Sequence, residues 1–528
     1  MQRIFSAEDD LGFVLDNVTD NLVAWNGMWP TLQAGDKVVF GAGVLRTSGT
    51  LVIKTPGIKF EGVGGVYWPY DTAGLPLIWG TVIQPLSSFT GSHIIHIPPS
   101  TSNGGVPVNN VRIQGMVVYG NSVVQSNGSD LNGITVEGDV RAVELLDVTV
   151  SQTSGHGILS LFHASGTPRG GVFDHISVWS AGKLVGTTQW GIYLEGFTDA
   201  KFNAISIIDC RGGGIYIEAP GQITGTHIHS VFNHGVGIHI SGESGNGGLN
   251  WSTIVTDRNV KEGILIDAYG RQRILLSNLE LRRDGGNEEG VVANGAVIPN
   301  TYAALSLKGT STHNVCPVLL SNLSTVVEDA DGNNLYWTPV TGISCEYITE
   351  MHIDGRVWGM TTPISLGAGA NDAELYISSS STFWTGDPTA MVEASPDIRQ
   401  GREQMYPIVV GSNTWTAMPA AANPFGGSRE RYMRADLRHK SRCCMSTQVA
   451  AAGAPAAVLK IQYTTDMTGA TGWADLTSSA VIDTTGYKQS TEELIPPGAK
   501  RKVLLRCAGD GGNGMASPAV QIVALHAW

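Results

Sequence analysis

The sequence predicts an all-β chain: a right-handed parallel β-helix, with a short N-terminal helical cap in front and a C-terminal antiparallel β-sandwich of jelly-roll type behind. Three observations predict it. A phrase of glycine followed by alternating aliphatics recurs as Gly133-Ile134-Thr135-Val136-Glu137, Gly191-Ile192-Tyr193-Leu194-Glu195, Gly214-Ile215-Tyr216-Ile217-Glu218, Gly237-Ile238-His239-Ile240-Ser241 and Gly263-Ile264-Leu265-Ile266-Asp267, with looser copies from Gly157, Ala304 and Gly342. Apolar residues at every second position mark a half-buried strand, not a helix. The glycines at 133, 157, 191, 214, 237 and 263 stand 24, 34, 23, 23 and 26 residues apart. A strand unit returning at such a step is one coil of a solenoid. Between the copies lies a second strand set with the same alternation, including 143–148, 176–178, 205–207 and 279–281. In such a coil Ile134, Ile158, Ile192, Ile215, Ile238 and Ile264 stack inside at one strand spacing, ~4.8 Å.

Taken in order, residues 1–62 read as a cap and the first coils. The helix-like stretch spans about 7–25, with Leu11, Val14, Leu15, Val18 and Leu22 on one face. A helix there would cover the apolar end of the solenoid and its strand edges. Strands at 34–40 and 51–53 flank a turn at Ser48-Gly49. The β-helix runs over 63–382, and its longer steps mark flank loops at 163–171, 181–190, 282–301 and 328–339. Residues 383–405, with Pro388 and Pro396, read as a linker. Residues 406–528 hold seven or eight strands split by Gly, Pro and Asp turns, the sandwich pattern.

Composition narrows the function classes. With 67 glycines and only 15% charged residues among 528, the chain is β-rich and turn-rich. A net charge of −13 argues against nucleic acid as a partner and suits a glycan better. The six cysteines form no CxxC pair, so neither a zinc site nor a disulfide framework is expected. Adjacent Cys443 and Cys444 alternate faces, which predicts one buried and one exposed thiol. No 18-residue apolar run and no apolar leader occur, so neither membrane insertion nor an ordinary signal peptide is expected. No cofactor is expected.

Two stretches resemble known families. The coil phrase, with the run Gly35-Asp36-Lys37-Val38-Val39 through Gly62-Val63-Gly64, resembles the pectate-lyase-like superfamily, which holds pectinolytic enzymes and the tailspike and depolymerase proteins of bacteriophages. The segments 458–466, 473–476 and 502–506 resemble the terminal β-sandwich of phage minor tail proteins. The resemblance implies a phage tail protein of the virion, made in the host cytoplasm. It implies a homotrimer with coils side by side, contacting other tail proteins and host cell-surface polysaccharide.

Strand alternation then locates the candidate chemistry. Tyr193, Tyr216 and His239 should point outward in one column, and Glu195, Glu218, Ser241 and Asp267 in the next. Adjacent coils would put Glu195 and Glu218 about 5 Å apart, and Glu218 and Asp267 roughly 10 Å apart. Those separations straddle the carboxyl spacings of retaining and inverting glycosidases. Glu195, Glu218 and Asp267 are therefore the candidate catalytic residues, and Tyr193, Tyr216 and His239 the candidate glycan-binding ones, since aromatic faces pack on apolar sugar faces. The column fits three readings: cleavage of a polysaccharide by hydrolysis or elimination, gripping without cleavage, and plain solvated surface or subunit seam in a purely structural tail component.

Other motifs are weaker. Gly155-His156-Gly157 resembles the Gly-His-Gly of polygalacturonases. The chain has no Asn-Thr-Asp, however, its one Asp-Asp is Asp9-Asp10, and Arg273-Ile274-Leu275 lacks the expected lysine. His156 is read as a turn residue. His227 and His229 flank Ile228 on one outward face without an evident third metal ligand. Residues 510–514 read as a tight turn, and Trp415, Trp473 and Trp528 as core or subunit contacts.

Overall fold

A computed structural model describes residues 2–68, 77–121, 130–182, 189–244, 248–270, 272–285, 302–326, 341–358, 362–367, 374–377, 382–384 and 404–408. Beyond these it describes 433–436, 442–451, 457–465, 474–477, 480–482, 486–490, 493–499, 502–509 and 519–527. The chain forms two compact units, the first reaching Tyr302 and the second beginning at Ala303.

The first unit is a parallel β-helix. Its long strands Arg112–Tyr119, Glu144–Ser151, Val172–Trp179, Ala200–Ile208, Ile223–Val231, Leu249–Asp257 and Ile274–Arg282 pair in parallel, each with the equivalent strand one coil on. The short strands Asn132–Glu137, Ile158–Leu161, Trp190–Glu195, Gly213–Glu218, Val236–Ser241 and Ile264–Ile266 do the same. Ile134, Ile158, Ile192, Ile215, Ile238 and Ile264 are matched rung for rung, and none is more than 1% exposed. Burial of one such side chain per coil contributes roughly 1.5–3 kcal/mol each.

Each long strand is bent by a single left-handed residue. Asp147, His175, Ala204, His227, Thr253 and Asn278 have φ between 51° and 56°, and the register skips them. A second left-handed column, Gln152, Ser180, Asp209, Phe232 and Arg258, turns the chain toward the short strand. This conformation costs an L-residue about 1–2 kcal/mol. It persists here because each backbone N–H reaches the next coil: Gln152 donates to Trp179, Ser180 to Ile208 and Phe232 to Asp257, all at 2.9 Å.

The glycine that opens the phrase is required by contact between coils. A methyl group on Gly214 would collide with the Gly237 carbonyl and the Ser230 hydroxyl one coil on. Inside the following turn, Asn233 donates from Nδ2 to Asn259 at 2.8 Å, and Asn259 donates to Asp284 at 2.8 Å. Asp284 ends this ladder fully buried, taking further bonds from Thr256 Oγ1 and the Asn259 N–H. Burial pushes its carboxyl up to about 8.

The cap differs from the single expected helix. It comprises α1 (Ala7–Leu11), the strand Asp16–Asp20 and α2 (Leu22–Met28). Left-handed Gly12 ends α1, and the Asp16 carboxylate accepts from the Val18 and Thr19 N–H groups, holding that segment out of a helix. Val14 and Val18 are exposed as a result. The end of the solenoid is closed instead by a cluster of rings: Trp25 stacks on Phe60 at 5.1 Å, with Phe13 and Trp29 edge-on to it. The Trp25 indole N–H donates to Val52 O at 2.9 Å. The expected turn at Ser48-Gly49 is a register shift within one strand, Gly43–Val52.

The second unit has parallel strands of its own. Ala303–Lys308 pairs with Thr341–Glu346, and that strand with Thr362–Leu366. The strands Thr382–Trp384 and Gln404–Ile408 occupy both ends of the expected linker, whose middle lies outside the described residues. Farther on, antiparallel pairing gives two five-stranded sheets. Face-to-face packing of these sheets, which a sandwich requires, rests on side chains outside the described residues, as do Trp415, Trp473, Trp528 and 510–514. Cys443 and Cys444 are both buried, against the expectation of one exposed thiol. Their strand is flanked on both sides, by Glu493–Leu494 and by Ala519–Ala527, and both of its faces are covered at this end. Desolvation pushes the Cys443 thiol up to about 12.

Two outcomes are expected. Gly214→Ala should lower stability by about 1–3 kcal/mol in denaturant unfolding through overpacking, whereas Gly27→Ala, on a helix with open space around it, should not. The Asp284 carboxyl titrates higher folded than unfolded. Its stabilisation is therefore complete below its ordinary value of 3.8 and is lost as pH rises through about 8. Asp284→Asn, which can continue the amide ladder, should flatten the fall in melting temperature between about pH 5 and about pH 9.

Candidate functional site

The short strands carry the candidate face. Register places Tyr193 beside Tyr216 and Tyr216 beside His239, followed by Leu265. Glu195 lies beside Glu218, and Glu218 beside Ser241. Since Ile240 pairs with Ile266, Asp267 continues that column. Glu195 and Glu218 are thus one rung apart, ~4.8 Å along the stack, with Ser241 between Glu218 and Asp267.

The outward rings form a ladder. Tyr193 stacks on Tyr216 at 4.7 Å and 11°, and His239 meets Tyr216 edge-on at 4.9 Å. Two rings that the sequence reading left out complete it. His156 lies 4.9 Å from Tyr193, and Trp190 lies 5.2 Å from Tyr216 and 6.0 Å from His239. His156 does occupy a turn, where its N–H donates to Asn132 Oδ1 at 2.7 Å. Its ring, however, accepts the Trp190 N–H at Nδ1, 3.0 Å away, and burial lowers it to about 4, so it packs uncharged against Tyr193. The Trp190 indole fits because the position one coil on is Gly213, where a methyl group would overlap the ring. A tryptophan aligned opposite a glycine in the next repeat was the available signal.

Electrostatics couple the two columns. The Tyr193 hydroxyl donates to Glu218 Oε2 at 3.1 Å. Burial, reinforced by Glu218, raises the Tyr193 phenol, and burial raises that of Tyr216. Burial and then the Glu218 charge raise the Glu195 carboxyl above the ordinary range, against a hydrogen bond from the Phe162 N–H. His239 Nε2 and Asp267 Oδ1 approach to 3.1 Å, within ion-pair distance, yet neither atom has a hydrogen-bond partner. The contact is a close approach without bonding alignment.

The same columns continue toward the cap. His96 pairs with Thr135, and its Nε2 lies 3.0 Å from Glu137 Oε2. His93 lies 4.8 Å from the His96 ring, bonds Thr135 Oγ1 at 2.8 Å, and is lowered to about 4 by burial. His227 occupies the left-handed bend, and it and His229 are both exposed on either side of buried Ile228, as expected. Among the described residues no three His, Cys, Asp or Glu side chains converge as a metal site.

No family model matches the chain, and no curated protein matches it. Solved structures of similar coiled architecture include the enzymatically active domain of bacteriophage CBA120 tailspike protein 2 (12% identity, 100% of this chain and 79% of that one, TM-score 0.47). Another is the A-module of the Azotobacter vinelandii mannuronan C-5 epimerase AlgE4 (14%, 72% and 98%, TM-score 0.43). A third is the Dettilon tailspike protein (10%, 99% and 94%, TM-score 0.39).

Proposed function

We propose that this chain is a phage tail spike or fibre protein that grips host-surface polysaccharide along the Tyr193–Tyr216–His239 column. The observation that carries this reading is the ring ladder. Tyr193, Tyr216 and His239 come from three successive coils and lie on the outer face, half-buried where a solenoid needs only polar side chains. Rings stacked along an axis at one strand spacing present a row of ring edges and hydroxyls that suits a chain of sugar rings laid parallel to that axis. The sequence resemblance to tailspike proteins supports the virion setting, homotrimeric assembly and attachment to other tail proteins.

A second reading, cleavage of the same polymer, is favoured by one observation. Glu195 is raised by burial and by Glu218, while Glu218 accepts a hydrogen bond from Tyr193. A carboxyl raised in this way is suited to a general acid beside a nucleophile or base, and a one-rung spacing is that of a retaining pair.

Titrating the protein with a panel of bacterial surface polysaccharides tests both. Tyr193→Ala with Tyr216→Ala should weaken binding at least about tenfold, about 1.4 kcal/mol over the two rings. Unchanged adsorption would refute gripping at this face. New reducing or unsaturated ends from the bound glycan, abolished by Glu195→Gln with binding retained, would establish cleavage. Their absence at high protein concentration would exclude it.

A further inference from the structure

We infer that the polymer gripped here carries free amino groups, one class of sugar that a repeating line of carboxylates on this face recognises; the inference rests on the glycan-binding reading above. The column outside the rings reads Glu137, Leu161, Glu195, Glu218, Ser241 and Asp267 over six successive coils, all half-exposed. Four of its six positions are carboxylates, spread over five rungs, ~24 Å. Their close ionisable partners are histidines: His96 at Glu137 and His239 at Asp267. Among the described residues no lysine or arginine forms an ion pair with any of the four.

The carboxylates also do not converge. No three His, Cys, Asp or Glu side chains among the described residues close on a single point. A single multivalent cation is therefore a poor match, and a linear ligand with cationic groups repeating along the axis is a good one. An anionic polymer such as a polyuronate would meet like charge on several rungs at once. The ring ladder runs alongside, joined to the acidic column by the Tyr193–Glu218 bond. A sugar chain can lie against the edges of Tyr193 and Tyr216 while an ammonium group reaches Glu195 or Glu218. Beyond the acidic column, Phe162 is 56% exposed next to Leu161, one rung from Glu195.

The probes are glucosamine oligomers, the same oligomers fully N-acetylated, and polygalacturonate, each titrated calorimetrically against the full chain. The glucosamine oligomer should bind about tenfold or more tighter than its acetylated counterpart, as charge-assisted hydrogen bonds imply. That advantage should shrink as NaCl rises from about 0.05 to about 0.5 M. Glu195→Gln with Glu218→Gln, and separately Glu137→Gln, should erase the preference. Unchanged circular dichroism and melting temperature would show that these variants fold. If acetylated oligomer or polygalacturonate binds as tightly as the amine, the amino-sugar inference fails while gripping stands. If none of the three binds, the amino-sugar inference fails, and the gripping reading is decided by adsorption of the Tyr193 and Tyr216 variants to the panel of surface polysaccharides.

Discussion

Coil-on-coil register is the constraint on which the rest of this structure depends. Each coil is held in parallel pairing so that residue for residue it repeats the one before, one strand spacing along. That single constraint stacks the isoleucines into a continuous core and forces glycine at positions 133, 157, 191, 214 and 237, where the next coil's backbone leaves no room for a side chain. It also lets Gln152, Ser180, Asp209, Phe232 and Arg258 hold left-handed turns, because each of their backbone N–H groups donates to the next coil. Outside the core it turns sequence repetition into surface repetition.

The candidate face follows from the same rule. Like side chains brought to one rung spacing interact strongly. Two tyrosines become a stack, and two glutamates become neighbours, the Glu195 carboxyl raised by burial and then by the charge of Glu218. A regular array costs electrostatic repulsion, which an inert surface would relieve by alternating charge. Here the array is kept, flanked by aromatic rings and half-buried histidines. A face that holds like charges in line, next to stacked aromatic groups, is organised for a ligand with its own repeat.

Much of this was legible in the sequence, and the reason is the short range of the code. Ile192, Ile215 and Ile238, and with them Tyr193, Tyr216 and His239, could be aligned because strand alternation is local and the phrase is its own register mark. What escaped depends on contacts between coils or turns. Asp147, His175, Ala204, His227, Thr253 and Asn278 share one backbone conformation but no side-chain chemistry, so no residue type announces the bend. His156 and Trp190 stand outside the strand phrase and reach the ladder from turn and strand edge. In the cap, an amphipathic pattern was overruled by Gly12 and by the carboxylate of Asp16, local signals stronger than the spacing of Val14 and Val18. Cys443 and Cys444 are buried together because both faces of their strand are covered, which alternation alone cannot show.

The account turns on whether the outward column is a binding face. A crystal structure of the protein with a bound oligosaccharide tests this most directly. The prediction is a sugar chain lying parallel to the solenoid axis, with successive rings on Tyr193 and Tyr216 and polar groups within hydrogen-bond reach of Glu195 or Glu218. A chain bound on another face, or crossing the coils without touching Tyr193 and Tyr216, would contradict it.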